Sequence, residues 1–150
     1  MEKTETAVFT NMCMVQDGDR VLVINRADPG WPGLAFPGGH VEKGEPFAVS
    51  VIREVYEETG LTIRQPRLCG IKQFSTESTG RYIVLLYRTD RFEGELRSSE
   101  EGEVFWLPLS QLGDYPQTPD FDKMVEVMTR EDLSEFYYHR QGEDWIAELM

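Results

Sequence analysis

Three glutamates and one arginine lie close together in the middle of the chain, where the sequence predicts a helix. They are Arg53, Glu54, Glu57 and Glu58, and Gly60 follows them at the expected helix end. Acids at positions i, i+3 and i+4 share one helix face, where like charges destabilise an isolated helix by roughly 0.2–0.5 kcal/mol per pair. The helix dipole also disfavours anions near the C-terminus. The arrangement therefore favours a bound divalent cation, and carboxylate oxygens suit Mg²⁺ or Mn²⁺.

These acids belong to a longer pattern that begins before the helix. From residue 39 to residue 61 the chain reads GHVEKGEPFAVSVIREVYEETGL. The fixed residues, in order and at set spacing, are Gly39, Glu45, Arg53-Glu54-Val55, Glu57-Glu58 and Gly60-Leu61. The pattern resembles the Nudix box, with every defining position filled. The Nudix family hydrolyses nucleoside diphosphates linked to another group. The resemblance implies an α/β (α+β) fold in which a mixed sheet lies between helices, an α/β/α sandwich.

The resemblance extends beyond the box, with less specific motifs, over residues 6–129. RFEGEL at 91–96, the acidic run at 100–103 and WLPLSQL at 106–112 resemble the C-terminal half of the MutT-type nucleotide-pool enzymes. It implies Mg²⁺-dependent (or Mn²⁺-dependent) hydrolysis of a nucleoside triphosphate to the monophosphate and pyrophosphate. Oxidised purine nucleotides such as 8-oxo-dGTP are among the substrates of these enzymes.

The resemblance also assigns roles to the acids. The metal ligands of the family fall on Glu54, Glu57 and Glu58, and MutT-type members add an acid from the loop after the sheet. Glu101 aligns best with that acid, as a base or a further metal ligand, and the other acids of the run 100–103 are rivals. A metal between carboxylates and phosphate oxygens neutralises developing charge and lowers the pKa of a bound water. Glu54 and Glu101 are both candidates for the group that takes the proton from this water.

Glycine and arginine complete the predicted catalytic centre. Gly38 lets the backbone approach the metal and the phosphates closely, and its carbonyl is a predicted metal ligand. Arg53 is placed with the catalytic acids, which it is expected to hold in position while pairing with Glu45. Arg26, at the end of a predicted strand, matches a phosphate-contacting arginine of MutT-type enzymes, and its fork-shaped cation suits an anhydride.

Recognition of the base is where the chain departs from the MutT pattern. MutT-type members read the purine edge with an Asn or Asp after the last core strand, and a gapless alignment puts Pro119 there. Asp120, one residue further on, is the predicted substitute, since it offers hydrogen-bonding groups to a purine edge. Trp31, in the loop rich in proline and glycine, is a candidate for stacking on the base and equally one for packing under that loop.

Several alternatives compete with these assignments. An acidic helix face is usually only solvated, an acidic loop such as 100–103 is often only exposed, and Arg26 also fits a surface ion pair. Two other functions stay open beside triphosphate hydrolysis. One is a Nudix hydrolase of ADP-ribose, a dinucleotide or a nucleotide sugar. The other is a catalytically silent nucleotide-binding module on the same fold.

Strands and helices alternate along the chain in the pattern of a mixed sheet with helices. Strands are predicted at 6–15 and 20–25, which form a hairpin, and at 34–36, 67–76, 81–89 and 103–107. Helices are predicted from Pro46 to Gly60, with Ala48, Val51, Ile52 and Val55 facing the core, and over 120–130, with a short helical turn at 109–112. The segment 91–96 is predicted as a turn, and the last 20 residues give no clear signal.

Composition limits the classes of function. The 150 residues are 40% hydrophobic and 28% charged, and the formal net charge is −12. We expect one domain over residues 1–150, acting on a small nucleotide and not on a nucleic acid polymer or a membrane, because both of those surfaces need a basic face. The two cysteines are expected to be reduced and in the core. The N-terminal residues lack the pattern of a signal peptide and no apolar run approaches the roughly 20 residues of a membrane span, so the cytoplasm is the expected location. Monomer and homodimer both stay open.

Overall fold

A mixed β-sheet lies at the centre of the structure, a computed structural model that describes residues 2–150. The strands are β1 (Ala7–Asp17), β2 (Arg20–Arg26), β3 (Gly33–Ala35), β4 (Leu61–Arg64), β5 (Arg67–Thr76), β6 (Gly80–Thr89), β7 (Arg91–Gly94), β8 (Gly102–Pro108), β9 (Glu135–Gln141) and β10 (Asp144–Leu149). The helices are α1 (Phe47–Thr59), α2 (Phe121–Thr129) and a 3₁₀ turn (Leu109–Asp114).

The sheet runs in the order β10-β9-β5-β6-β1-β2-β3, and β8 also pairs with β2. The β1–β6 and β5–β9 pairs are parallel, and the other pairs in this sheet are antiparallel. A separate two-stranded ladder joins β4 to β7. The predicted β1–β2 hairpin is present.

The two helices pack on separate apolar clusters, which share the strands of the sheet. On α1, Val51 and Val55 join the cluster that includes Cys13 and Val15 of β1. On α2, the buried residues Phe121, Met124, Val127 and Met128 join the cluster that includes Met14 of β1. Because successive side chains of a strand point to opposite faces, the helices lie on opposite sides of the sheet. The predicted α/β/α sandwich is confirmed.

Helix α1 follows the sequence prediction with two corrections. Val51 and Val55 are buried and Gly60 ends the helix at φ 83°, a left-handed conformation that favours glycine. Pro46 is the residue before the helix and not its first residue, with a φ of −60° and an extended ψ of 140°. Ala48 was expected in the core and is exposed, while Ser50, two residues on, is buried.

Residues 91–94 differ from the sequence prediction, and residues 135–149 had no clear prediction. Residues 91–94 are the strand β7 and not a turn, because they pair with β4, which the sequence did not predict. Residues 135–149 form the β9–β10 hairpin, which extends the main sheet through the parallel pairing of β9 with β5.

Both cysteines lie in the core or against it, as predicted. Cys13 is buried, Cys69 packs against the core, and both are free thiols. Burial raises the pKa of the Cys69 thiol to about 11, which makes it a poor nucleophile at neutral pH. Over residues 2–150, neither helix combines the length and the apolar character that a membrane span requires.

Candidate active site

The loop after β3 is held between β1 and α1 by hydrogen bonds from both sides. The backbone N–H of Asn11 donates to the Gly39 carbonyl at 2.8 Å, and that of Cys13 donates to the Pro37 carbonyl at 2.9 Å. The Asn11 side chain accepts from the Gly39 N–H at 3.1 Å and donates to the Ser50 hydroxyl of α1 at 2.9 Å. The buried Ser50, which is small and polar, therefore fixes the helix to the loop.

Helix α1 presents its three acids to one pocket, but each to a different extent. The side chain of Glu54 is 15% exposed and that of Glu57 is 56% exposed. Glu58 is partly buried and accepts a hydrogen bond from the backbone N–H of Gly38 at 3.2 Å. All three line a pocket of about 990 Å³, together with Glu101 from the loop before β8.

Arg53 holds this group of acids together. Its Nε donates to Oε2 of Glu45 at 2.8 Å and its Nη2 donates to Oε1 of Glu45 at 3.0 Å, a two-point ion pair. Its Nη1 donates to Glu54 at 3.0 Å and to Glu57 at 3.4 Å, and its Nη2 also donates to the His40 carbonyl at 3.1 Å. The expected pairing of Arg53 with Glu45 is present, and Arg53 lowers the pKa of Glu45 to about 2.

The buried acids are electrostatically strained. Burial raises the pKa of Glu58 to about 8; the Gly38 N–H opposes this shift, and the charges of Glu54 and Glu101 add to it. Burial also raises the pKa of Glu54, against the effect of Arg53. Charged carboxylates out of water and near one another are unfavourable unless a cation balances them.

The residues fit a hard divalent cation by chemistry, although their side chains are not gathered around one point. Across residues 2–150, no group of three or more His, Cys, Asp or Glu side chains is arranged so that it could hold a metal ion. The four pocket acids nevertheless supply only oxygen atoms, as Mg²⁺ prefers. A Cβ on Gly39 would lie 2.4 Å from the Glu54 carboxylate, so this space is open only because residue 39 is glycine. The donor set therefore fits Mg²⁺ or Mn²⁺ by its oxygen chemistry.

Arg26 and Trp31 stand at the same pocket as the acids. Arg26 Nε donates to the Trp31 carbonyl at 3.0 Å, and Trp31 is 45% exposed. Arg26 Nη2 lies 3.7 Å from Asp28, so part of its charge already faces a surface acid. Glu101 is exposed, lines the pocket and helps to raise the pKa of Glu58. The pocket lining includes no other acid of the run 100–103.

The other part of the pocket is aromatic, and this part was not predicted. The Phe74 and Tyr82 rings are stacked with centroids 4.9 Å apart, and the Tyr138 and Trp145 rings are stacked at 5.1 Å. Phe74 meets the Trp145 ring edge-on at 6.1 Å. Lys72 lines the same part of the pocket. We call Phe74, Tyr82, Tyr138 and Trp145 the aromatic wall.

Asp120, the predicted reader of the base, does not line the pocket, whereas its neighbour Pro119 does. The Asp120 carboxylate instead accepts a hydrogen bond from the Tyr138 hydroxyl at 2.7 Å and lies 3.4 Å from Lys123. It precedes α2 with a φ of 58° and makes no side-chain hydrogen bond that caps the helix. Asp120 therefore holds a residue of the aromatic wall in place.

The sequence contained one signal for the missed residues. In the predicted strand RLCGIKQFST, Lys72 and Phe74 occupy alternate positions and so share a face. A lysine on the same face as a large aromatic ring, within a central strand, indicates a lined pocket more than a solvated surface. No comparable local signal marks Tyr138 or Trp145, because the last 20 residues could not be assigned.

The sequence matches the family described as NUDIX domain over residues 7–143. The chain belongs to this family. A Nudix hydrolase named YvcI from Bacillus subtilis is 30% identical, over 79% of this chain and 77% of that protein. An oxidized purine nucleoside triphosphate hydrolase of Danio rerio is 28% identical, over 94% of this chain and 91% of that protein. An ADP-ribose pyrophosphatase of Methanocaldococcus jannaschii is 30% identical, over 66% of this chain and 60% of that protein. The structure of a MutT protein from Bacillus halodurans aligns with a TM-score of 0.76 and 24% identity, over 94% of this chain and 97% of that one.

These comparisons confirm the MutT-type Nudix prediction, and the likeness to the Bacillus halodurans structure confirms the fold. The chain is a Nudix hydrolase, an enzyme that cleaves phosphoanhydrides. The relatives carry the names of different substrates, so the family alone does not fix the substrate of this chain.

The contacts of Arg53 predict the effect of a conservative substitution. Arg53→Lys is expected to lower kcat/KM about 10- to 100-fold, because an ammonium cannot reach Glu45, Glu54 and the His40 carbonyl at the same time. Turnover measured against Mg²⁺ concentration should also show half-saturation at higher Mg²⁺. Arg130→Lys is the matched control, because Arg130 also bridges two acids but lies on the surface. Equal effects of the two substitutions would contradict the positioning role of Arg53.

Proposed function

We propose that this chain hydrolyses a nucleoside triphosphate to the nucleoside monophosphate and pyrophosphate, with Mg²⁺ or Mn²⁺ as cofactor and 8-oxo-dGTP or another dNTP as substrate. One observation carries the proposal: four acids, Arg26 and the aromatic wall line a single pocket of about 990 Å³. A volume of this order suits a small-molecule ligand. The Danio rerio relative matches nearly the whole chain, and its name supports a nucleoside triphosphate as the substrate.

The acids and arginines have separate tasks in this reaction. A divalent cation, when bound, supplies charge neutralisation at the phosphates and a more acidic water. Glu54, Glu57, Glu58 and the Gly38 carbonyl are the groups that would hold it, with Glu101 from the loop before β8. Arg26 offers a fixed positive charge to a phosphate oxygen through the donors that do not bind the Trp31 carbonyl.

Glu54 is the better placed of the two candidates for taking a proton from the attacking water. Burial raises the pKa of Glu54, and a carboxylate with a raised pKa is a stronger base. Arg53 fixes the Glu54 carboxylate at 3.0 Å and so limits the directions in which it can point. Glu101 is exposed and lies on a loop, so it fits better as a ligand that closes the site.

A nucleotide panel in Mg²⁺ tests the proposal directly. The panel contains dNTPs, 8-oxo-dGTP, ADP-ribose, a dinucleotide and a nucleotide sugar, and the products are separated by ion-exchange chromatography. We expect pyrophosphate and the monophosphate in equal amounts from at least one triphosphate. Release of orthophosphate from every triphosphate, or no hydrolysis of any of them in Mg²⁺ or Mn²⁺, would contradict the proposal.

A second reaction is favoured by a specific observation, the name of the ADP-ribose pyrophosphatase relative. AMP formation from ADP-ribose, with no pyrophosphate from triphosphates, would assign the chain to that reaction. Tight nucleotide binding without turnover would instead indicate a silent binding module.

Three further features are part of the proposal. We propose that residues 1–150 form one domain, which is supported by the single main sheet that runs from β3 to β10. The protein is proposed to work in the cytoplasm on free nucleotides, as a monomer or homodimer. Analytical ultracentrifugation of the purified protein distinguishes the two assemblies.

A further inference from the structure

Lys72 lines the pocket and is a cation placed against two aromatic rings, of which Tyr138 also lines the pocket. Its Nζ lies 5.0 Å from the centroid of the Phe136 ring and 5.6 Å from that of Tyr138. Within the described residues 2–150, the ammonium has no hydrogen-bond acceptor and no carboxylate within 4.0 Å. Its donors are therefore free for a molecule that enters the pocket.

Asp120, the acid whose charge acts on Lys72, forms no ion pair with it. Burial lowers the pKa of Lys72, and the Asp120 charge opposes this shift without a direct contact. The Asp120 carboxylate is already engaged by the Tyr138 hydroxyl at 2.7 Å and by Lys123 at 3.4 Å. Lys72 thus keeps its donors while most of its surface is removed from water, which strengthens a hydrogen bond to a ligand.

The aromatic wall lies in the same part of the pocket as Lys72 and offers a surface on which the flat ring of a ligand can stack. The wall consists of two stacked pairs, and the Phe74 ring meets Tyr138 and Trp145 at interplanar angles of 79°. Trp145 is 41% exposed although it lines the pocket. Stacking on aromatic side chains favours any nucleobase, and it does not by itself distinguish one base from another.

The sheet sets the distance between this wall and the catalytic loop. Lys72 pairs with Val84, and Val84 pairs with Thr10, so the three lie in one row across β5, β6 and β1. Two strand spacings amount to about 10 Å. Thr10 forms a bridge with His40, the residue after Gly39. A base beside Lys72 would thus lie about two strand spacings from Thr10, the residue that bridges to the loop carrying Gly38 and Gly39.

We propose that Lys72 and the aromatic wall form the nucleobase subsite, and that Lys72 selects purines with a carbonyl oxygen at C6 over purines with an amino group there. An ammonium only donates hydrogen bonds. Hypoxanthine and guanine present two acceptors side by side, O6 and N7, and 8-oxoguanine keeps O6, whereas adenine presents an amino donor beside N7. Facing Lys72, adenine would offer N7 alone, and its amino group would place a donor against the ammonium in the position where O6 would accept. This inference rests on the proposed function.

The test compares dITP with dATP, whose bases differ at C6 and at the adjoining N1 proton. We expect kcat/KM for dITP to exceed that for dATP about 10-fold or more, since unpaired donors in a pocket reject a ligand strongly. Lys72→Met keeps the length of the side chain and removes the donors, so the ratio should fall to about 1–2. Melting curves show whether the variant is folded, and Lys3→Met, at an exposed N-terminal position, is the matched control.

A binding measurement separates this inference from the proposed reaction. Binding of dIMP and dAMP is measured by calorimetry in EDTA, for the wild type, Lys72→Met and Trp145→Leu. We expect dIMP to bind more tightly than dAMP, Lys72→Met to remove the difference, and Trp145→Leu to weaken both equally. That pattern without triphosphate turnover would support the subsite and contradict the proposed reaction.

The remaining outcomes count against the inference. Pyrophosphate release with a dITP to dATP ratio that Lys72→Met leaves unchanged would contradict the selection by Lys72 and leave the proposed reaction intact. Failure of both monophosphates to bind, in a folded protein, would contradict the subsite itself. A preference for dAMP that Lys72→Met reverses would contradict the direction of selection.

Discussion

Gly39→Ala is expected to lower turnover about 100-fold while the melting temperature stays close to that of the wild type. A Cβ at residue 39 would lie 2.4 Å from the carboxyl carbon and from Oε2 of Glu54. The end of a glutamate side chain can move away, so the fold survives, but Glu54 then loses its position beside Arg53. A displacement of about 1 Å in a catalytic group is enough for a 100-fold loss. Pyrophosphate release and thermal melting measure the two effects.

The neighbouring glycine provides a contrast. A Cβ on Gly38 would lie 2.1 Å from the backbone oxygen of Asn11 and 2.7 Å from the Cα of Met12. Backbone atoms of a central strand cannot move aside cheaply, so Gly38→Ala is expected to lower the melting temperature strongly. Gly113→Ala, where no atom lies within 4 Å of the new Cβ, is the tolerated control. Full turnover in Gly39→Ala would show that the position of Glu54 is not needed.

Local signals were sufficient to predict the helix that carries the acids. Val51 and Val55 recur at helical spacing and are buried, and Gly60 adopts the left-handed conformation that ends the helix. The residues of the box lie close together in sequence, so a single helix and a single loop bring them to one pocket. This is why the sequence could place Glu54, Glu57 and Glu58 at one pocket, with Arg53 beside them.

Pairing between distant strands could not be predicted in the same way. Strands β4 and β7 have four residues each, and their pairing depends on backbone hydrogen bonds between segments far apart in the chain. Residues 91–94 read as a turn because RFEG is short, contains a single large apolar residue and ends in glycine. The extended conformation of residues 91–94 therefore depends on their pairing with β4 and not on their local sequence.

The aromatic wall depends on the same long-range information. Phe74 faces Tyr82 because β5 and β6 pair in a register that places them opposite each other. Tyr138 and Trp145 reach the wall only because β9 adds to the edge of β5 in parallel and β10 folds back on it. Neither pairing can be deduced from residue types. The candidates for contacting the base that the sequence offers are therefore Trp31 and Asp120, and not the aromatic wall.

Replacing Glu58 with glutamine is expected to lower turnover about 100- to 1,000-fold and to stabilise the metal-free protein. The Glu58 carboxylate is largely removed from water and its pKa is raised to about 8, first by burial and then by the charges of Glu54 and Glu101. Because the folded pKa lies above the ordinary value of 4.5, the carboxylate destabilises the fold as the pH rises from about 4.5 to about 8. Glutamine removes this charge and still accepts the hydrogen bond from Gly38. At pH 8 in EDTA we expect the melting temperature to rise by roughly 3–5 °C.

Comparing Glu57→Gln with Glu58→Gln separates the loss of turnover from the rise in melting temperature. Glu57 lines the same pocket, but its side chain is 56% exposed, so its charge is solvated. Both substitutions are expected to lower kcat about 100- to 1,000-fold, because each removes an anion from the group that would hold the cation. Only Glu58→Gln should raise the melting temperature in EDTA, and the difference should disappear near pH 4.5, where the Glu58 carboxyl is largely protonated in the folded state. Equal melting temperatures of the two variants at pH 8 would mean that the Glu58 carboxylate is not strained, and unchanged kcat in both would mean that these acids do not form the catalytic centre.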